Sequence, residues 1–359
     1  MNSTMTSRQR VLTAFAHREP DRVPCWLGAS PEWRLLAREY LGLKDDEALS
    51  LHIGDDFRRV HSAYAGPEKH HPTKHLTNPD ATYRTPFGVE RYGYGYGMPL
   101  HEPLKQAQTL AEVQAYEWWP DAEWIDVSSV REAALKYDRQ YALLGGEWSP
   151  FWHDAIDLLG FDGLIYAMHD NPDVANEVIT RCADYYLAVS RRIFEASSDA
   201  VDVFFIGNDL GAQNGPMIGP RQFKKFILPH LERYVDLGHE FGKVVVLHCD
   251  GSIRHFIPDL IAIGLDGIQS VQPYCAGMEL DGLKRDFGDK MSFFGCVDTQ
   301  ALIEGTQAEA RQLTIDTLNT MMPGGGFIAS PSHDYLLPET PVENVIVMYE
   351  TIKECGWYR

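Results

Sequence analysis

The 359-residue sequence lacks several features that would assign a protein to a class at once. It has no apolar run near the roughly 18 residues that a membrane-spanning helix needs, and its amino terminus has no apolar signal-peptide core. It is also short of basic residues, because 32 Lys and Arg stand against 51 Asp and Glu, a formal net charge of -19. Such a charge repels nucleic-acid phosphates. We therefore expect a cytoplasmic protein with no membrane or nucleic-acid partner.

The six cysteines form no C-x-x-C pair, which argues against a disulfide framework or a closed zinc knuckle. No G-x-G-x-x-G or Walker A motif follows any predicted strand, so the common nucleotide-binding loops are missing as well. The composition is that of a globular chain, with 44% hydrophobic and 23% charged residues. We interpret residues 1–359 as a single domain, and its oligomeric state is left open.

Six β-rich runs alternate with helical patterns from residue 141 onwards. The runs are YALLGG (141–146), VDVFFIG (201–207), KVVVLH (243–248), GIQSVQ (267–272), MSFFG (291–295) and GGFIAS (325–330). Strand–helix repetition predicts a parallel sheet with right-handed crossovers. A doubly wound sheet and an eight-stranded barrel both satisfy this order.

The positions of the polar residues favour the barrel. Nearly every predicted strand is followed by residues that can do chemistry, whereas a doubly wound sheet concentrates them at one switch point. The prediction is a (β/α)8 TIM barrel whose residues 141–359 form the regular repeats. Residues 1–140 supply the early strands, including DRVPCWLG (21–28), and lid-like helical and hairpin additions, such as a helix after Ser30 and a hairpin over 83–97.

The stretch LHCDG (247–251) ends the third of these runs with a candidate metal site. Side chains at i and i+2 of a strand point the same way, so His248 and Asp250 form a pair and Cys249 faces away. An imidazole and a carboxylate can bind zinc or another divalent ion. His333, after the last strand, is the predicted third ligand. The alternative is a metal-free His–Asp hydrogen bond that orients the imidazole.

Other strand ends supply further candidates. Glu147 follows two glycines beside Trp148, whose ring can raise the pKa of the carboxyl group, and we predict an acid there. Asp209 is a second predicted catalytic group, with a helix N-cap as its alternative. The predicted substrate-binding residues are Trp26, Trp148, Gln213, Gln272 and Tyr274.

Several stretches in order resemble the uroporphyrinogen decarboxylase superfamily over essentially the whole chain. They include NDLGAQNGPMIGPRQFKKF (208–226), LHCDGSIRHF (247–256), GCVDTQALIEGT (295–306) and GGGFIASPSHDYLLPETP (324–341). The resemblance implies a (β/α)8 barrel and one of two chemistries. One is metal-free decarboxylation of uroporphyrinogen, and the other is zinc-dependent methyl transfer involving a corrinoid.

The sequence departs from both patterns. Gly28 and Ser30 stand where the decarboxylases have substrate-binding arginines, and no FSDI motif is present, so the heme-pathway activity is disfavoured. The methyltransferases have zinc-binding cysteines where this chain has Asp250 and the segment SPSH. A His248–Asp250–His333 set is harder and less suited to activating a thiol.

The resemblance therefore favours demethylation of a small O- or N-methylated donor, with zinc at an atypical ligand set and a corrinoid carried by a partner protein. His248, Asp209 and Glu147 are the predicted catalytic residues. Two alternatives stay open: a metal-independent decarboxylase or lyase of a small carboxylated substrate, and a non-catalytic tetrapyrrole-binding protein.

Overall fold

The centre of the protein is a parallel sheet of seven strands, as seen in a computed structural model that describes residues 4–73, 82–93, 97–197 and 199–358. In chain order the strands are β1 (Phe57–Arg59), β2 (Ala142–Gly145), β3 (Val203–Gly207), β4 (Val244–His248), β5 (Gly267–Val271), β6 (Ser292–Val297) and β7 (Phe327–Pro331). They lie side by side in that same order. All six predicted runs are strands, and the parallel arrangement is confirmed.

The segment around Cys25 joins the two outer strands and completes the barrel. Cys25 forms a parallel bridge with Ala329 of β7, and its carbonyl oxygen accepts a hydrogen bond from the Asp56 amide, directly before β1. The predicted strand in DRVPCWLG thus occupies the eighth position, although its regular pairing is limited to this bridge. The (β/α)8 barrel is confirmed.

Helices surround the sheet, and small antiparallel additions lie before β2. The helices are Ser7–Phe15, Pro31–Leu41, Asp46–Ile53, Leu110–Gln114, Val130–Leu135, Phe151–Leu159, Phe161–Asp170, Pro172–Ser197, Pro220–Gln222, Leu228–Glu240, Ile257–Ala262, Leu280–Phe287, Thr299–Glu304, Gln307–Met321 and Val342–Cys355. A π-helical segment, Phe223–Ile227, joins two of them, and short 3-10 helices span Glu68–His70, Ala122–Trp124 and Arg254–Phe256. Among the described residues, no helix combines the length and the apolarity needed to cross a membrane.

The helix and the hairpin predicted within the first 140 residues are both present. The helix Pro31–Leu41 begins after Ser30, whose side chain accepts from the Trp33 amide, and ends at Gly42 in the left-handed region, as helix caps require. The predicted hairpin is part of a three-stranded antiparallel sheet, Thr82–Arg84, Glu90–Tyr92 and Met98–Pro99. Its residues 94–96 lie outside the described residues.

Strand alternation divides the core into two parts. Phe57, Leu144, Phe205 and Val246 belong to a small cluster inside the barrel, while their outward-facing neighbours pack against the helices in the main core. The inward row of β1 continues from Phe57 to Arg59, and that of β4 continues from Val246 to His248. Arg59 and His248 therefore enter the barrel from its carboxyl-terminal end.

At the opposite end of the barrel, buried charges stand directly before the strands. Asp56 is fully buried, and its carboxylate binds Arg10 at 2.5 Å, Arg22 at 3.0 Å and the Cys25 amide at 2.8 Å. Asp202, before β3, accepts from Arg8 at 2.8 Å. Each of these carboxylates faces a guanidinium group, as a structural end of the barrel requires.

Candidate active site at the carboxyl ends of the strands

A cavity of about 1210 Å³ opens at the carboxyl-terminal end of the barrel. Eight of the predicted site residues line it: Trp26, Glu147, Trp148, Asp209, His248, Asp250, Tyr274 and His333. Barrel enzymes place their catalytic groups at this end because loops from several strands converge there. The predicted residues are thus brought to one cavity, apart from Gln213 and Gln272.

His248 is the centre of an acidic cluster. Its Nε2 lies 3.4 Å from Asp209 Oδ1 and 4.0 Å from Asp250 Oδ2, and its Nδ1 lies 3.8 Å from Asp334 Oδ1. The ring is 3% exposed and also hydrogen bonds through Nδ1 to the side-chain oxygen of Gln269. Three carboxylates therefore surround one buried imidazole.

The charges of this cluster raise the pKa of the histidine and lower the pKa values of two aspartates. Burial lowers the pKa of His248, but Asp334, Asp250 and Asp209 outweigh burial and hold that pKa well above its ordinary value. Burial raises the pKa of Asp209, but hydrogen bonds with His153 and His248 bring it well below its usual range. The pKa of Asp250 is lowered in the same way, against burial, by His248 and His333. Both aspartates are carboxylates at neutral pH.

Neighbouring side chains fix the orientation of the two carboxylates. Asp250 Oδ1 accepts from Ser270 Oγ at 2.5 Å and from Gln272 Nε2 at 2.9 Å. Asp209 Oδ1 accepts from the Asp250 amide at 2.9 Å, which ties the two ligand-bearing loops together. The short strand Gly211–Ala212 follows Asp209, and the next helix begins only at Pro220, so the N-cap alternative for Asp209 was wrong. Gln272 supports Asp250 and does not line the cavity.

His333 packs against Asp250. Its Nδ1 accepts from the Tyr335 amide at 2.8 Å, so the ring proton is on Nε2, which lies 2.9 Å from Asp250 Oδ2. Both ring nitrogens are thus used within the protein. His333 is therefore placed to orient Asp250, one of the candidate metal-binding residues.

The donor set fits a divalent metal ion. Among the described residues, Asp209, His248 and Asp250 each present one ligand atom, and the three atoms lie within 4.8 Å of one another. One imidazole and two carboxylates suit zinc, iron or manganese, and two negative charges beside one another favour a cation. This group contains Asp209 and not His333, and the predicted third ligand, His333, stays a prediction. The cluster contains no thiolate.

Cys249 faces away from this cluster, as strand alternation predicts. Its Sγ is buried and accepts a hydrogen bond from the Leu210 amide at 3.1 Å. Burial raises the pKa of its thiol well above the ordinary value. Cys249 therefore contributes no atom to the cluster of Asp209, His248 and Asp250.

An aromatic wall of the cavity adjoins the acidic cluster. The ring centroid of Trp148 lies 5.3 Å from that of Phe205 and 5.1 Å from that of His248, and Trp26 packs on Phe205 at 5.7 Å. Glu147 is half-buried beside this wall, and burial raises the pKa of its carboxyl group while Arg59 opposes the shift. The wall offers flat apolar faces that lead to the acidic cluster.

Three residues of the site escaped the sequence-based prediction. His153 Nε2 lies 3.3 Å from Asp209 Oδ2 and comes from the first turn of the helix Phe151–Leu159. Gln269 and Asp334 both contact His248. Two polar residues, Gln269 and Ser270, inside the buried strand β5 were the available signal. Gln213 has an exposed side chain and lies outside the cavity.

Comparison with known sequences gives a match to one family and similarity to two proteins described below. Residues 93–355 match the family described as Uroporphyrinogen decarboxylase (URO-D). The chain is 20% identical over 255 residues to the methylcobamide:CoM methyltransferase MtbA of Methanosarcina acetivorans, covering 70% of this chain and 69% of that protein. It is 22% identical over 273 residues to the uroporphyrinogen decarboxylase of Nostoc punctiforme, covering 73% and 72%.

A solved structure of a methyltransferase from Methanosarcina mazei has the same fold. The superposition has a TM-score of 0.66 at 18% sequence identity and covers 98% of this chain and 99% of the other.

Proposed function

The chain belongs to the uroporphyrinogen decarboxylase family, and from this premise we propose that it is a methyltransferase. It removes a methyl group from a small O- or N-methylated donor and passes it to a corrinoid carried by a partner protein. The observation that carries the proposal is the convergence of Asp209, His248 and Asp250 on one point of a large cavity, without a thiolate.

The three convergent side chains would hold a divalent cation, with zinc as the first candidate. Such a cation supplies Lewis acidity to the departing oxygen or nitrogen, and the corrinoid supplies the methyl acceptor. Gln269 orients His248 through Nδ1, and Ser270 and Gln272 hold Asp250 through Oδ1. These contacts keep the ligand atoms directed at the cavity.

Glu147 is the proposed acid. Burial raises the pKa of its carboxyl group, which favours a proton on the carboxyl oxygen when a substrate excludes water. That proton can pass to the heteroatom from which the methyl group departs. Trp26, Trp148 and Tyr274 line the cavity and hold the donor.

Decarboxylation of a porphyrinogen is less well supported. The segment from Trp26 to Arg34 offers one arginine, and the Arg34 guanidinium donates to the backbone carbonyl oxygens of Leu27 and Ala29 at 2.9 and 3.4 Å. An arginine used in this way clamps a substrate carboxylate poorly. The acidic cluster would also repel a polycarboxylate.

Two measurements test the proposal. Metal analysis of protein purified under zinc-replete conditions should give about one ion per chain, lost in His248→Ala and retained in the matched variant His255→Ala, whose ring lies outside the cavity. Incubation with free Co(I) corrinoid and a panel of O- and N-methylated donors should yield methyl-Co(III) absorption. Consistent absence of metal, or no methylated corrinoid with any donor, contradicts the proposal.

A further inference from the structure

Asn208 is a fully buried residue that joins loops at the carboxyl-terminal end of the barrel. It follows β3 and directly precedes Asp209. Its backbone amide donates to the His248 carbonyl oxygen at 2.9 Å. Its side-chain nitrogen donates to the Ser149 carbonyl oxygen at 3.1 Å, and its side-chain oxygen accepts from the Trp152 amide at 2.9 Å. Asn208 therefore connects the loops that follow β2, β3 and β4.

The two partners of the side chain require an asparagine. The Trp152 amide can only donate a hydrogen bond, and the Ser149 carbonyl oxygen can only accept one. The asparagine side chain offers one acceptor and one donor, which matches this pair. An aspartate would offer two acceptors and would bury a charge against the Ser149 carbonyl oxygen.

The bond to Trp152 replaces a missing helix cap. The helix Phe151–Leu159 begins after Pro150, whose side chain has no oxygen and makes no capping bond. Asn208 supplies the acceptor from a neighbouring loop, whereas most helices take it from their own N-cap residue. The first turn of this helix carries His153, which contacts the acidic cluster. Asn208 therefore also fixes the end of the helix from which this imidazole projects.

The bond to Ser149 holds a strained turn. The φ angle of Ser149 is 60°, in the left-handed region that costs energy for residues other than glycine. The Ser149 hydroxyl donates to the Glu147 carbonyl oxygen at 2.9 Å, and Asn208 binds the Ser149 carbonyl oxygen. The turn held in this way carries Glu147 and Trp148, which both line the cavity.

The residue before Asn208 leaves room for the ring that this turn carries. A Cβ atom on Gly207 would lie 2.1 Å from Cζ2 of Trp148, so a side chain at this position would displace the ring. The Gly207 amide also donates to the Trp148 carbonyl oxygen at 2.8 Å. The ring thus lies against the end of β3, with its centroid 5.1 Å from that of His248.

We propose that Asn208 is a positioning residue, which fixes Glu147 and Trp148 relative to the acidic cluster around His248. Asn208 does not line the cavity, so it acts through the residues that it holds. The role of Glu147 as the acid rests on the proposed function, whereas the placement of the turn does not.

The test uses Asn208→Asp in the full chain. This variant keeps the acceptor for the Trp152 amide and loses the donor to Ser149. The first measurement is the fluorescence of Trp148, taken as the difference between each protein and its Trp148→Phe counterpart. In the wild type, contact with the His248 ring should quench this emission. In Asn208→Asp the emission should rise and shift to longer wavelength, because the turn no longer holds the ring in place.

Metal content and turnover give the second measurement. The metal content of Asn208→Asp should stay at the wild-type level, because the bond from residue 208 to His248 is made by the backbone. The kcat of methyl transfer should fall by about 10- to 100-fold, since a small displacement of the acid and the aromatic wall misplaces the reacting groups.

Asn344→Asp is the matched control. Asn344 is also buried, and its side-chain nitrogen donates to the carbonyl oxygens of Leu302 and Gly305 at 2.8 Å, at the end of the helix Thr299–Glu304. The control variant should lose stability in urea without any change in Trp148 emission or kcat. Asn208→Ser, which introduces no charge, is measured in parallel so that the test does not depend on the folding of one variant.

Three results would overturn the inference. They are wild-type Trp148 emission in both Asn208 variants, an equal change of emission in Asn344→Asp, or loss of the circular dichroism of the fold in both Asn208 variants, which would make Asn208 a structural residue. The fluorescence measurement needs neither metal nor corrinoid. Absence of turnover in the wild type would therefore contradict the proposed function and leave this inference in place.

Discussion

The two ends of the barrel both bury carboxylates, but they differ in what faces them. At the amino-terminal end, Asp56 lies between the guanidinium groups of Arg10 and Arg22. At the carboxyl-terminal end, Asp209 and Asp250 lie beside each other and face imidazoles instead, with His248 between them and His153 and His333 on either side. The first arrangement places guanidinium groups around a buried carboxylate and stabilises the fold, whereas the second places two carboxylates beside each other, which suits a bound cation.

The largest effect on stability should follow from breaking the amino-terminal arrangement. Asp56→Asn removes the buried negative charge and leaves Arg22 without a countercharge, so the free energy of unfolding should fall by about 3 kcal/mol or more. Urea denaturation followed by tryptophan fluorescence measures this change. A loss below about 1 kcal/mol would mean that the ion pairs of Asp56 with Arg10 and Arg22 do not stabilise the amino-terminal end of the barrel.

An aspartate-to-asparagine substitution at the carboxyl-terminal end should affect function more than stability. In Asp250→Asn the remaining carbonyl oxygen still accepts from Ser270 and Gln272, but the attraction of His248 and His333 that lowers the pKa of Asp250 is lost. We expect the free energy of unfolding to fall by about 1 kcal/mol, less than in Asp56→Asn, while the proposed metal binding and methyl transfer are lost. A variant that keeps its metal would exclude Asp250 as a ligand.

The charges around Asp154 are intermediate between those at the two ends of the barrel. It shares its surroundings with a second carboxylate, Asp157, and one guanidinium group, that of Arg91, and its Oδ2 accepts from Tyr186 at 2.6 Å. Burial, with a smaller contribution from Asp157, raises the pKa of Asp154 to about 7. The native state therefore binds a proton here that the unfolded chain releases near pH 4.

This proton makes the stability of the wild type fall as the pH rises from about 4 to about 7. Asp154→Asn has no such group and keeps an acceptor for Tyr186. Between pH 5 and pH 8 the variant should gain stability on the order of 2 kcal/mol relative to the wild type. Urea denaturation at both pH values measures the gain. Parallel pH profiles for the two proteins would place the pKa of Asp154 in the ordinary range.

The sequence allowed the barrel to be predicted more completely than the site. The Val-rich run that forms β4 is buried on both faces, and such runs identify parallel strands without any knowledge of their neighbours. The two strand positions before residue 141, β1 and the Cys25 segment, were harder to predict, because β1 has three residues and the Cys25 segment has one bridge. Segments this short carry little periodicity.

Pairs within one strand end could be predicted, and contacts between loops could not. His248 and Asp250 follow from alternation, whereas the approach of His153 to Asp209 depends on where a helix begins after β2. Gln213 was placed in the site because it follows β3 closely. The two-stranded turn formed by Gly211–Ala212 and Gly215–Pro216 directs its side chain to solvent instead.

The smallest effect should come from Cys249→Ser. This variant tests whether Asp250, and not the preceding Cys249, belongs to the proposed metal site. The serine hydroxyl can accept from the Leu210 amide as Sγ does, so the stability should fall by about 1 kcal/mol or less. Metal content and methyl transfer should not change, because the register of β4 on β3 turns His248 into the barrel and residue 249 away from it. Loss of metal in this variant would place Sγ at the proposed metal site and contradict the proposed ligand set of Asp209, His248 and Asp250.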